Sequence, residues 1–189
     1  MQKWEKVGKP TAASDNHYGK GIVKQVLRDP KGADHDFYFY TLKDSCVVLP
    51  VTNDGKAIIV REYKQGSDDI QDGLVGGHVD EGETFEEAAR RETLEETGYS
   101  VGKLIELGHV WIVPRHSSGK INLYLALDCT PAGEQKLDES EVEIEVIHIP
   151  LEEWINKVVS GEINESSSVT TTIRALPHLG YRLHRRNIW

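Results

Sequence analysis

The sequence predicts an α+β fold: a mixed β-sheet carrying a few helices, preceded by a small N-terminal β extension. Three observations predict it. β-prone runs recur from the first forty residues to about residue 150, and only three segments carry a helical pattern. The strands also come in groups rather than alternating with helices, which argues against a doubly wound parallel sheet. A length of 189 residues suits one compact domain with a short addition. The expected division is an extension over 1–43, contacting a second copy of the chain, and a main domain over 44–189.

Each element has its own signal. The first forty residues read as strand material broken by turns. Ile22, Val26 and Leu27 mark a strand over 21–29, and "PKG" then turns the chain into the aromatic run 35–42. The clearest hairpin is "SCVVLPVTNDGKAIIVREY", two apolar runs around Asn53-Asp54-Gly55. The polar stretch 65–72 reads as a loop, and "GLVGGHV" as a short strand ending in paired glycines. A helix follows, opened by a capping box of Thr84 and Glu87 and closed by Gly98 as a left-handed cap. Strands return at "LIELGHVWIV", "INLYLALD" and "EIEVIHIP". "LEEWINKVVSG" reads as a helix ended by Gly161, and "SSVTTTIRALPHL" as a weaker one. Trp111 and Trp154 fall at positions usual for core residues.

Composition excludes several classes. A hydrophobic content of 38% supports an ordinary core rather than a disordered chain. The net charge of -9 argues against a nucleic-acid or anionic-membrane surface, and no apolar run is long enough to span a bilayer. The N-terminal "MQKWEKVGKP" has no apolar leader core. Cys46 and Cys129 form neither a metal-ligand cluster nor a disulfide framework, so a reducing cytoplasm is the expected location.

The chemistry points to "RRETLEETGY". At 100° per residue, Phe85, Ala88, Ala89, Glu92 and Glu96 share one stripe of the helix, with Glu95 beside it. The acids therefore continue the apolar face that must dock on the sheet. Burying neighbouring carboxylates is costly unless a cation or proton compensates, and like charges at this spacing already strain the helix. Oxygen-only ligands suit a hard cation, Mg²⁺ or Mn²⁺. Leu94, on the opposite side, suggests that this face is covered as well.

Gly77, Glu83, Arg91, Glu92, Glu95, Glu96 and Gly98 recur at the spacing of a known motif. This run resembles the Nudix box at every fixed position, a match expected by chance in on the order of one chain in a million. Thr93 stands where an aliphatic residue is usual. The resemblance implies the family's α/β/α sandwich and a metal site built from the Gly76 carbonyl, Glu92, Glu95 and Glu96. It implies that Glu83 pairs with Arg91 to hold the loop against the helix. It also implies a catalytic base from a later loop, where Glu139 and Glu141 are candidates, Glu143 stays open, and Glu95 is a further catalytic candidate.

Pro114, sixteen residues beyond Gly98, is similar to the ADP-ribose and nucleoside-diphosphate-sugar pyrophosphatase branch of that family. "PRHSSGKINLYLA" and "VIHIPLEEWINKVVSGEI" look like its later segments. Gly73 and Val75 depart from the branch's usual Glu-Leu-Pro-Ala-Gly run, and Gly119 stands where a glutamate is common. Arg61 matches a phosphate-binding arginine, a task suited to bidentate pairing. Arg115, His116 and Lys120 surround a loop able to approach sugar or phosphates. Trp4 and Tyr18 offer aromatic faces for the base, acting across a homodimer. The resemblance thus implies metal-dependent hydrolysis of a nucleoside diphosphate sugar to a nucleoside monophosphate and a sugar phosphate. The alternatives are a nucleoside triphosphate pyrophosphohydrolase of sanitising type and a catalytically silent nucleotide sensor. An RNA-cap hydrolase is disfavoured by the acidic balance.

Overall fold

A buried strand with apolar residues on both faces organises the main unit. In a computed structural model, which describes residues 2–14, 21–137 and 143–181, the chain divides into two units. The first comprises residues 1–44 and 110–120. Strands β1 (Glu5–Ser14), β2 (Ile22–Arg28) and β3 (Asp34–Tyr40) form an antiparallel meander in the order β1-β2-β3. Asp29 shapes the turn between β2 and β3, its carboxylate accepting from the amides of Lys31 and Ala33. Gln25, 4% exposed, spends its side-chain amide on the carbonyls of Val7 and Gly8, bracing β2 against an irregular stretch of β1.

The second unit, residues 45–109 and 121–189, is built on an eight-stranded mixed sheet. Its strands are β4 (Ser45–Thr52), β5 (Lys56–Lys64), β6 (Asp69–Gly73), β7 (Val75–His78), β8 (Tyr99–Ser100), β9 (Lys103–Trp111), β10 (Lys120–Pro131) and β11 (Glu145–Pro150). The main order is β11-β5-β4-β10-β8; β6 pairs with β5, β7 with β4 and β9 with β10. Only β4 and β10, of the pairs with an assigned register, run parallel. The expected hairpin is present, with Gly55 at φ +79° in its turn. The expected polar loop is only partly a loop: Asp69–Gly73 is a strand, because its backbone completes the free edge of β5 from Val60 to Lys64. Asp69 and Ile70 are exposed, Gln71 and Asp72 half-buried, and the buried Gly73 has no side chain, so no apolar alternation betrays the strand.

Helices cover both faces of the sheet. Cys46 and Val48 of β4 pack with Ala88 and Ala89 of α1 (Phe85–Thr97). Alternation sends Val47 and Leu49 to the opposite face, where α3 (Ser166–Ala175) lies over β4. Between them in sequence, α2 (Leu151–Ser160) ends at Gly161 in the left-handed conformation, φ +83°, as its sequence predicts. Trp154 is fully buried there, and its indole N–H donates to Thr172 Oγ1 at 2.8 Å. Trp111 departs from the expectation of burial. It is 47% exposed at the end of β9, with the Lys120 ammonium 5.2 Å from its ring.

Candidate active site

Helix α1 is positioned at both ends by the residues its sequence singles out. Thr84 Oγ1 accepts from the Glu87 amide at 3.2 Å while the Glu87 carboxylate accepts from the Thr84 amide at 2.8 Å. Gly98 stops the helix at φ +73°. The buried residues are Ala88, Ala89, Glu92, Thr93, Glu96 and Thr97, so the apolar stripe does turn acidic in its last two turns. Glu92 is 7% exposed and Glu96 4%, while Glu95 lies half-buried beside them. Thr93 is fully buried and donates to the Ala89 carbonyl at 2.7 Å, which satisfies its hydroxyl in an otherwise apolar position. Leu94 does not behave as expected. It is 41% exposed, and that face of α1 is open to solvent.

The paired glycines of β7 face the buried acids. A Cβ on Gly77 would overlap the carboxylate of Glu92, so only glycine lets this side chain lie against the strand. The Gly76 amide donates to Glu96 Oε2 at 3.4 Å. Arg91 ties the rest together. Its Nε and Nη2 donate to the two oxygens of Glu83, each at 2.9 Å, and Nη2 also reaches the His78 carbonyl at 3.0 Å. Its Nη1 donates to Glu92 at 2.8 Å and to Glu95 at 3.0 Å. These hydrogen bonds, that of Glu83 first, raise the Arg91 pKa, and the Arg91 guanidinium holds the Glu83 carboxyl below its usual range.

The donor set fits a hard divalent cation. Glu92, Glu95, Glu96 and the Gly76 peptide offer oxygen only. Burial pushes the nearby thiol of Cys46 up to about 12. Among the described residues no three acidic, imidazole or thiol groups already converge on one point. Instead Arg91 draws Glu92 and Glu95 toward itself and supplies the positive charge that buried carboxylates require.

The remaining predicted residues are distributed unevenly. Arg61 on β5 is held by Asp72 of β6 in a two-pronged pair at 2.6 and 3.1 Å, with Glu145 of β11 at 3.7 Å. Asp72 and Gln71 line two neighbouring hollows. One, of about 480 Å³, contains Arg61; the other, of about 510 Å³, runs past Gly76, Gly77 and His78 to Ser168. Arg115 and His116 are exposed in a turn of the first unit, where the His116 carbonyl accepts from the Tyr40 amide at 2.7 Å. Trp4 belongs to the same unit and already packs on His35 and Phe37, with ring centroids 5.1 and 5.7 Å away. Glu143 is exposed. Tyr18, Glu139 and Glu141 lie outside the described residues. Sequence reading passed over Asp72, hidden in the supposed loop, and Gln135, whose side-chain amide joins the Glu96 and Ile144 carbonyls. Neither has a local signal, since both act through residues distant in sequence.

Residues 41–164 match the model of the NUDIX domain. The chain is 30% identical over 151 residues to an ADP-ribose pyrophosphatase of Bacillus subtilis (strain 168), covering 79% of this chain and 74% of that protein. It is 29% identical over 131 residues to the ADP compounds hydrolase NudE of Escherichia coli (strain K12), covering 69% and 68%. A crystal structure of an ADP compounds hydrolase matches with a TM-score of 0.82 at 21% identity, over 95% of this chain and 96% of the other. At that identity the match shows a shared fold.

Proposed function

This chain belongs to the Nudix hydrolase family, and from that premise we propose that it cleaves the pyrophosphate bond of a nucleoside diphosphate sugar such as ADP-ribose. The products are a nucleoside monophosphate and a sugar phosphate. One observation carries the reading: the core stripe of α1 ends in two buried acids, Glu92 lying against Gly77 and Glu96 accepting from the Gly76 amide. A purely structural helix gains nothing from that placement. The relatives named for ADP-ribose and ADP compounds support the substrate class over a nucleoside triphosphate or a silent sensor.

The family works with a divalent cation, and we assign Mg²⁺ here, with Mn²⁺ as a substitute. Glu92, Glu95, Glu96 and the Gly76 carbonyl would hold it, while the Glu83–Arg91 pair ties the loop before α1 to the helix that carries the three acids. Once bound there, the cation would supply positive charge to the diphosphate and to the leaving phosphate. A water then attacks phosphorus, the anhydride P–O bond breaks, and the water's proton passes to a carboxylate base. Glu139 or Glu141 takes that role, with Glu95 a further carboxylate at the site. Arg61 exchanges part of its pairing with Asp72 for a substrate phosphate. Trp4 and Tyr18 receive the base, and Arg115 and His116 the phosphates or sugar. The N-terminal extension, 1–43, serves as a homodimer contact for the hydrolase domain, 44–189. No described helix is long and apolar enough to cross a membrane, and we place the enzyme in the cytoplasm without nucleic-acid partners.

The test is product analysis by mass. ADP-ribose, other nucleoside diphosphate sugars and nucleoside triphosphates are offered with Mg²⁺ to wild type and to Glu96→Gln. Sugar nucleotides cleaved by wild type alone support the reading. Turnover of triphosphates only, with pyrophosphate released, refutes the substrate class.

A further inference from the structure

A helix leaves its last carbonyls without partners, and in α1 these belong to the turn that carries Glu95 and Glu96. One short segment satisfies two of them. The Lys136 amide donates to the Glu95 carbonyl at 2.8 Å, and the amides of Ala132 and Gly133 donate to the Gly98 carbonyl at 2.8 and 3.1 Å. Gln135 does more. Its Nε2 donates to the Glu96 carbonyl at 2.6 Å and to the Ile144 carbonyl, just before β11, at 3.1 Å. A primary amide has two N–H donors, and both are used, on two elements distant in sequence. Because both partners are carbonyl oxygens, the nitrogen must face them and the amide cannot be turned over. The residue itself is exposed, while its nitrogen makes both part-buried hydrogen bonds.

We propose that Gln135 is a positioning residue for the cation site, holding the Glu95–Glu96 turn at a fixed distance from the sheet by clamping Glu96 to Ile144. This rests on the assignment of Glu95 and Glu96 as cation ligands. The isosteric Gln135→Glu variant decides it: a carboxylate has no donor for either carbonyl and turns its charge toward them. Gln135→Ala removes the clamp without new charge, and Glu134→Gln, on the neighbouring exposed residue, is the control.

Mn²⁺ binding is titrated calorimetrically without substrate, alongside thermal melts of the cation-free proteins and kcat and KM for whichever nucleotide sugar is cleaved. Both Gln135 variants are expected to bind Mn²⁺ about tenfold more weakly, within the range for groups that orient metal ligands. They should lose kcat with KM nearly unchanged. Melting temperatures that fall while Mn²⁺ affinity stays within twofold of wild type make Gln135 an ordinary structural brace and overturn the proposal. Glu96→Gln separates the two levels. If it binds Mn²⁺ as wild type does, the ligand assignment fails and takes the proposal with it. If Mn²⁺ binding follows expectation in every variant but no nucleotide sugar is cleaved, only the substrate reading fails.

Discussion

The carboxylate of Glu92 occupies the space that a side chain on Gly77 would need. The clash in Gly77→Ala is with the far end of a flexible side chain, not with backbone, so Glu92 can swing away at little cost to the fold. A conflict of this kind separates function from stability. Gly77→Ala is expected to melt within a few degrees of wild type, yet to lose roughly 10- to 100-fold in cation affinity or activity, the range for a displaced metal-site group. Thermal melts beside Mg²⁺-dependent turnover check it; a large drop in melting temperature with activity intact is the contrary result.

Gly98 predicts the opposite balance. Its φ of +73° disfavours any other residue, and a Cβ there would lie 2.5 Å from the Gly133 carbonyl oxygen, a backbone atom that cannot step aside alone. Gly98→Ala should cost about 1–2 kcal/mol for the left-handed conformation plus a clash of similar order. Urea denaturation would read it as a lower midpoint with an unchanged slope.

Glu83 supplies a pH signature. Its carboxyl is held below the usual range by the Arg91 guanidinium, so it releases its proton more easily in the folded chain than in the unfolded one. The sign follows from linkage. The pairing stabilises the fold fully above the unfolded-state value of 4.5, and this is lost as pH falls from there through the lower folded-state value. Melting temperatures between pH 6 and 3 should therefore fall less steeply for Glu83→Gln than for wild type. Parallel curves would mean that the pair is energetically idle.

Trp154 and Thr172, both fully buried, share a hydrogen bond of 2.8 Å. Thr172→Val keeps the shape and removes the acceptor, leaving the indole N–H unpaired at a cost of about 1–3 kcal/mol. Trp154→Phe should cost less in this background than in wild type, because the orphaned donor goes with the indole. A double-mutant cycle by chemical denaturation measures the coupling.

These predictions trace to features of unequal visibility in the sequence. The α1 caps and the acidic end of its stripe were legible because they depend on residues three or four apart on one helix. The hairpin at Asn53–Gly55 was legible for the same local reason. Strand β6 was not: DIQDG is held by the backbone edge of β5, and hydrogen bonds of the main chain leave no mark on composition. Trp111 and Leu94 misled because an apolar side chain is required in a core but not forbidden outside it. The site showed the same division. Glu92 and Glu96 announced themselves, while the partners of Arg61 and Glu96, Asp72 and Gln135, come from other elements and emerge only when the sheet is assembled.

The guanidinium of Arg91 touches three carboxylates and a backbone carbonyl. An internal counter-ion of this kind travels with the chain: Arg91 sits on the same helix as Glu92 and Glu95, so the burial of those two carboxylates is compensated from within the fold. Zinc fingers are the opposite case, where the metal itself is the folding template.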